Sequence, residues 1–120
     1  MQTLTLRFPA DAVPRRRVHR GVVASGDLEV LLDPHPDALA AGVADVVVRT
    51  SVDGFDAVWE HVLERFFART PVAGRWRLND AGATPGVVAL RMRQAADDAL
   101  ADDDAVAGDA QTGDADGAGR

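Results

Sequence analysis

A helix with one apolar face is the feature that most constrains the fold of this chain. From residue 55 to residue 67, large apolar residues recur at i, i+3, i+4 and i+7, the spacing that places them on one side of a helix. Asp53 is placed to cap this helix, because a carboxylate accepts hydrogen bonds from the free amides of the first turn. Thr70 and Pro71 are placed to end it, because a residue before proline is displaced from the helical region. The apolar face consists of Phe55, Val58, Trp59, Val62, Leu63, Phe66 and Phe67.

Several short segments have the patterns of strands against which this helix would pack. Residues 3–8 alternate apolar and polar side chains, and residues 74–79 alternate again. Residues 44–50 are rich in valine, which favours strands. Two more apolar segments, residues 18–24 and 28–33, flank a Ser-Gly-Asp sequence that is typical of turns. These two segments are therefore predicted to form a hairpin.

A second helix is predicted near the end of the patterned part of the chain. Thr84 is a residue type that caps helices, and Pro85 occupies the first helical position, where its missing N–H has no cost. Alternation between residues 88 and 93 also fits a strand, but the start signals and the long Ala-rich continuation favour a helix. The stripe of this helix consists of Val88, Met92, Ala95, Ala96 and Ala99.

The order of these elements predicts an α+β fold. Pro34 and Pro36 end the second hairpin arm, since proline cannot donate to a sheet, and residues 38–41 are predicted to add a short helical turn. We expect a mostly antiparallel sheet of about five strands with two helices packed on one face. Residues 1–100 would form one domain. Residues 101–120 are mostly Asp, Ala and Gly, and they are predicted to be a disordered acidic tail because they can bury little apolar surface.

The composition argues against several classes of function. The net charge of −6 is unevenly distributed, because residues 97–120 contain eight Asp and one Arg, so the other 96 residues together carry +1. An acidic end repels phosphate backbones, which argues against nucleic-acid binding. Cysteine is absent and the three histidines are scattered, so neither a metal site nor a thiol of its own is predicted. No apolar run reaches the length of a membrane span and no signal-peptide pattern is present, so a cytoplasmic protein is expected.

The predicted turn between the hairpin arms contains the best candidate for a functional residue. Ser25, Gly26 and Asp27 form this turn, and the chain has only one other serine, Ser51. From the residue pattern alone, Ser25 is an exposed serine in an ordinary turn. A nucleophilic role is disfavoured, because serine needs a neighbouring base and no triad-like pattern connects it to a histidine. No catalytic residue is therefore predicted.

Four segments together resemble the acyl carrier subunit of biotin-independent malonate decarboxylase. They are Ser-Gly-Asp-Leu-Glu-Val at residues 25–30, Arg-Thr-Ser-Val at 49–52, the helix over 59–67, and Asn-Asp-Ala-Gly-Ala-Thr-Pro-Gly-Val-Val at 79–88. The Ser-Gly-Asp turn is also similar, more distantly, to that of the citrate lyase acyl carrier subunit. The chain differs from ordinary four-helix phosphopantetheine carriers and lacks their Asp-Ser-Leu motif.

The resemblance implies a specific role for the turn. In this family the serine that matches Ser25 is linked through a phosphodiester to a phosphoribosyl-dephospho-CoA group, whose thiol carries acetyl and malonyl as thioesters. The implied partners are an acetyl/malonyl transferase subunit, decarboxylase subunits and a separate transferase that attaches the prosthetic group. Gly26 would leave the hydroxyl accessible to that transferase, and Asp27 would stabilise the turn. The chain is accordingly expected to be a non-catalytic carrier subunit.

Two alternatives to this interpretation remain open at the level of sequence. One is a citrate-lyase-type carrier with the same arm and another acyl group. The other is an unmodified scaffold subunit that only holds partners together. The N-terminal strand and the Gly-Ala-Thr-Pro sequence at residues 82–85 favour the malonate type.

Arginine supplies all the positive side-chain charge apart from histidine, because lysine is absent. A local cluster is compatible both with a solvated loop and with a dock for cofactor phosphates or acidic partner surfaces. Arg91 and Arg93 on the second helix are expected to be solvated. The cluster consists of Arg15, Arg16, Arg17 and Arg20.

Overall fold

A five-stranded sheet with two long helices on one face forms the structure, a computed structural model that describes residues 1–102. The strands lie in the order β1-β4-β5-β3-β2. They are β1 (Gln2–Pro9), β2 (Val18–Arg20), β3 (Leu28–Asp33), β4 (Val43–Thr50) and β5 (Gly74–Asp80). The helices are α1 (Pro36–Ala41), α2 (Asp56–Arg69) and α3 (Pro85–Leu100).

The sheet is mixed, so the prediction of a mostly antiparallel sheet is right only in part. The pairs β1–β4, β2–β3 and β3–β5 are antiparallel. β4 and β5 are parallel neighbours, with Ala44 opposite Gly74 and Thr50 opposite Asp80. α2 connects these two strands. A helical crossover brings the chain back to the end of the sheet where β4 begins, so β5 runs in the same direction as β4. The α+β class and the five strands are confirmed, and α1 confirms the short helical turn predicted at residues 38–41, beginning two residues earlier.

The core lies between the sheet and the two long helices. Trp76 on β5 is fully buried there, and its Nε1 donates a hydrogen bond of 3.0 Å to the carbonyl oxygen of Val72. Phe66 and Phe67 meet the Trp76 ring edge-on, with ring centroids 5.8 and 5.3 Å away, an arrangement that aromatic rings favour. The predicted stripe of α3 is confirmed, because all its members are buried: Val88, Met92, Ala95, Ala96 and Ala99.

The apolar face of α2 is buried over only part of its width. Trp59, Leu63 and Phe67 are buried against the sheet. Phe55 and Val58, in contrast, remain 49% and 45% exposed. The sheet therefore covers only part of the predicted apolar stripe. The uncovered part of the stripe faces solvent on the side of α2 nearest α3.

α2 begins without Asp53 as its cap, so that prediction is wrong. The helix follows Phe55, which makes no side-chain capping hydrogen bond. Asp53 instead lies 3.4 Å from the amino group of Met1. Gly54 has a φ of +87°, so it turns the chain before the helix and separates Asp53 from the first turn. The predicted end is confirmed, since Thr70 is the C-cap.

Element boundaries predicted from proline are confirmed. β3 ends at Asp33, and Pro36 lies in the first turn of α1. Thr84 caps α3, because its Oγ1 accepts a hydrogen bond of 3.3 Å from the amide of Val87. α3 is helical throughout, so the alternative of a strand in this segment is wrong.

The predicted tail at residues 101–120 lies, beyond Asp102, outside the described residues. Within residues 1–102, no helix has the length and apolar character needed to cross a membrane.

Candidate functional site

Ser25 lies in a loop of residues 21–27, which is longer than the predicted turn of residues 25–27. The predicted hairpin is confirmed by the antiparallel pairing of β2 with β3. The prediction that its first arm extends to Ala24 is wrong, because β2 ends at Arg20. Gly21 gives the physical reason: its φ is +77°, and a Cβ atom there would lie 1.9 Å from the carbonyl oxygen of Leu28. The chain therefore leaves the strand at a close backbone contact that only glycine permits.

Backbone hydrogen bonds hold this loop against the turn that follows β5. The amide of Gly26 donates to the carbonyl oxygen of Ala81 at 2.7 Å, and the amide of Ala81 donates to that of Asp27 at 3.1 Å. Within the loop, the amide of Asp27 donates to the carbonyl oxygen of Ala24 at 2.8 Å. The residues on both sides of Ser25 are therefore fixed through their backbones.

Ser25 itself is exposed, and its hydroxyl makes no hydrogen bond with any residue in the range 1–102. Gly26 has a φ of +81°, and a Cβ atom there would meet nothing within 4 Å. Val22 and Val23 on the other side are 55% and 61% exposed. The hydroxyl thus stands on an accessible surface with apolar neighbours, which suits an approach by another protein.

Asp27 ties the loop to α3. Its Oδ1 accepts hydrogen bonds from the amide of Leu28 at 2.7 Å and from Nε of Arg91 at 2.9 Å. Its Oδ2 lies 3.4 Å from Nη2 of Arg91 and 3.4 Å from the amide of Val22. The hydrogen bond from Arg91 is the main cause that holds the pKa of the Asp27 carboxyl below its ordinary value, and the Leu28 amide adds to this effect.

Arg91 is a site residue that the sequence argument missed. The expectation that it is solvated is wrong, since its side chain is only 31% exposed and pairs with Asp27. Its position directly before Met92, at the edge of the buried stripe of α3, was a signal that could have indicated a partly buried role. Arg93, by contrast, is exposed as expected.

A buried polar contact organises the same end of the sheet. Thr50 and Asp80 end the parallel strands β4 and β5, and they are only 1% and 7% exposed. The Thr50 hydroxyl donates to Oδ2 of Asp80 at 2.8 Å, while the amide of Ala83 donates to Oδ1 at 2.9 Å. Asp80 therefore shapes the turn on which the Ser25 loop rests.

The histidines have other contacts. His19 lies 2.9 Å from a carboxylate oxygen of Glu29, and Nδ1 of His35 accepts from the amide of Asp37 at 3.3 Å at the start of α1. His61 faces the space between α2 and α3. Within residues 1–102 no group of three or more His, Asp or Glu side chains is arranged to hold a metal ion.

The arginine cluster near β2 mainly fastens the end of α3, a role that neither sequence alternative named. Arg16 donates to carbonyl oxygens at the end of the helix, including that of Asp98. Arg20 pairs with the Asp98 carboxylate. Cations are favoured at a helix C-terminus, where carbonyl oxygens lack helical partners. Arg15 and Arg17 remain exposed, with Arg17 3.5 Å from Asp33.

Several known proteins are similar in sequence to this chain over most of the described residues. The family model for the malonate decarboxylase delta subunit (MdcD), an acyl carrier protein, matches residues 15–99. The chain is 48% identical over 100 residues to the malonate decarboxylase acyl carrier protein of Pseudomonas paraeruginosa, which covers 82% of this chain and 97% of that protein. It is 49% identical over 96 residues to that of Azotobacter vinelandii, covering 79% and 93%.

A solved structure is similar in fold as well. It is the crystal structure of a Pseudomonas malonate decarboxylase hetero-tetramer in complex with malonate, one chain of which matches with a TM-score of 0.72 and 45% identity. The match covers 81% of this chain and 97% of that chain. The chain therefore belongs to the malonate decarboxylase delta subunit family, and the resemblance seen in the sequence is confirmed.

Proposed function

We propose that this member of the malonate decarboxylase delta subunit family carries acyl groups on a phosphoribosyl-dephospho-CoA arm attached to Ser25. The observation that carries the proposal is the exposed hydroxyl of Ser25. The residues on both sides of Ser25 are held by backbone hydrogen bonds, so the loop presents this hydroxyl at a defined position. The residues present fit such a group, because the hydroxyl has no hydrogen bond within residues 1–102 and the space above Gly26 is open.

Each residue of the Ser25-Gly26-Asp27 sequence has a separate proposed role in attaching the arm. Ser25 supplies the oxygen of the phosphodiester. Gly26 leaves room for the attaching enzyme and for the phosphate, and Asp27, held by Arg91, keeps the attachment point at a fixed place on the domain. When attached, the group supplies the thiol that carries acetyl and malonyl, since the chain has no cysteine. A tether of this kind raises the local concentration of the acyl group at a partner's active site.

We infer that the chemistry itself belongs to partner subunits. The proposed partners are an acetyl/malonyl transferase subunit, the decarboxylase subunits and the transferase that attaches the prosthetic group. A catalytic serine needs a base within hydrogen-bond reach. Within residues 1–102 the Ser25 hydroxyl has no such partner, and His19 and His35 contact other residues, which supports a carrier role.

Intact-mass measurement tests the attachment site directly. Produced together with its prosthetic-group transferase, the wild-type chain should gain the mass of the arm, and Ser25→Ala should not. Ser51→Ala is the matched control, because it removes the only other serine and should still be modified. A modified Ser25→Ala chain would refute the site, and an unmodified wild-type chain would favour the scaffold alternative.

Turnover by the assembled complex tests which acyl group the carrier holds and whether the carrier alone is catalytic. Carrier with its arm should support release of carbon dioxide from malonate only when the other subunits are added, and Ser25→Ala carrier should not support it. Release by the isolated carrier would refute the non-catalytic role. A complex that used citrate instead would favour the citrate-lyase type.

A further inference from the structure

A cleft separates α2 from α3 on the outer side of the domain. Its volume is about 650 Å³. Val58, Val62 and Phe66 of α2 form its apolar floor. This is the open flank of the α2 stripe, which the sheet does not cover. We call this surface the helix cleft.

Every charged or titratable side chain that lines the helix cleft is basic. Arg65 and Arg69 contribute from α2 and Arg93 from α3, together with His61. The three arginines are exposed, and none has an ion pair or hydrogen bond with another residue in the range 1–102. Because no carboxylate lines the cleft, these positive charges are not neutralised locally.

The helix cleft continues toward the Ser25 loop. A second apolar depression of about 340 Å³ shares Val58, Val62 and Pro85 with it. Phe55 and Gly82 also line that depression, and Gly82 directly follows the residue whose backbone holds the loop. The cleft and this depression therefore extend along α2 toward the turn that holds the Ser25 loop.

We propose that the helix cleft is the docking surface for an acidic, amphipathic segment of a partner subunit. An apolar floor with a basic rim matches a segment that presents apolar side chains on one face and carboxylates beside them. A second copy of this chain is a poor occupant through this surface, since it would bring like charges together. The identity of the partner rests on the proposed function, whereas the chemistry of the cleft does not.

Charge reversal on the rim is the direct test. Arg65→Glu/Arg93→Glu should weaken binding to the other subunits of the complex by about tenfold or more at low salt. Arg49→Glu/Arg77→Glu is the matched control, because these exposed arginines lie on the opposite face of the sheet, have no ion pair within residues 1–102 and no acidic residue directly opposite, and change the net charge equally. The control should bind like wild type, and raising salt should weaken wild-type binding more than binding of the rim variant.

The floor is tested separately by Val58→Ser, which keeps the charge of the cleft and should also weaken binding. Affinity unchanged in both the rim and the floor variants, or lost equally in the sheet-face control, would overturn the proposal.

Removal of residues 103–120 tests a competing occupant of the cleft, since that segment of the chain is acidic. A shortened chain that bound no better than wild type would support a partner segment, whereas a large gain would assign the cleft to this chain's own acidic end.

Intact mass separates this proposal from the carrier function. The rim variant should still gain the arm at Ser25, because its substitutions lie outside the loop. Normal modification with unchanged docking would refute only the docking surface. Absent modification of wild type would refute only the carrier site.

Discussion

The Asp27–Arg91 pair allows the sharpest test of how the Ser25 loop is held. Arg91→Met keeps an unbranched apolar stem and removes the donors to Asp27. The two side chains are 31% and 19% exposed, and the closer contact is 2.9 Å. This geometry lies between an exposed ion pair, about 0.2–1 kcal/mol, and a shielded charge-assisted hydrogen bond, about 1.5–3 kcal/mol. We expect the variant to lose about 1–2 kcal/mol of unfolding free energy at neutral pH.

The loss should depend on pH in a defined direction. Arg91 lowers the pKa of Asp27 in the folded state. The pair therefore stabilises the protein fully above the ordinary aspartate pKa, and this contribution disappears as the pH falls through the lowered folded-state pKa. The stabilities of wild type and Arg91→Met should differ most at neutral pH and converge in acid, as the pH falls below the ordinary aspartate pKa.

Urea unfolding followed by tryptophan fluorescence measures this difference, because Trp59 and Trp76 are both buried. Arg93→Met is the matched control, since Arg93 is exposed and unpaired within residues 1–102 and its loss should change stability little. Equal stability of wild type and Arg91→Met at neutral pH would refute the reasoning. A deficit that persisted undiminished in acid would show that a contact independent of Asp27, such as the 3.1 Å hydrogen bond from Nη1 of Arg91 to Gln94, is responsible.

Other parts of the scaffold can be tested by the same unfolding assay. Gly21→Ala should cost about 2 kcal/mol or more and Gly26→Ala about 1 kcal/mol, because both have positive φ but only Gly21 faces a backbone oxygen; equal losses would contradict the clash. Thr84→Ala should cost about 1 kcal/mol, with Thr84→Ser nearly neutral, and a neutral Thr84→Ala would disprove the cap. Thr50→Val should cost about 1–3 kcal/mol by leaving the buried Asp80 carboxylate short of a donor, whereas Thr50→Ser should retain most of the stability.

Local signals in the sequence predicted most of the elements, because they act within a few residues. Proline fixed the ends of β3 and α2 and the start of α3, and the helical period identified the buried stripe of α3. Local reasoning failed where a distant backbone intervened. β2 stops at Arg20 because Gly21 meets Leu28 across the hairpin, which no turn propensity reveals.

The pairing of β4 with β5 and the role of Arg91 depend on distant contacts. The strand–helix–strand order of β4, α2 and β5 is the pattern of a parallel crossover and could have predicted their direction, but their being immediate neighbours depends on contacts outside either strand. Arg91 and Asp27 are 64 residues apart in the chain. Their pairing follows only after α3 has packed across β3 and placed this edge of the helix over the loop.

The unpredicted parallel pair explains why the candidate site lies where it does. Parallel strands bring their carboxyl ends to one edge of a sheet, which here places Thr50 beside Asp80. That buried contact shapes the turn after β5, and the turn both holds the Ser25 loop and leads into α3. α3 then returns Arg91 to Asp27, which closes a ring of contacts around the loop. The attachment proposed for Ser25 requires an exposed hydroxyl on a base held by several contacts, and this ring supplies such a base without covering the hydroxyl.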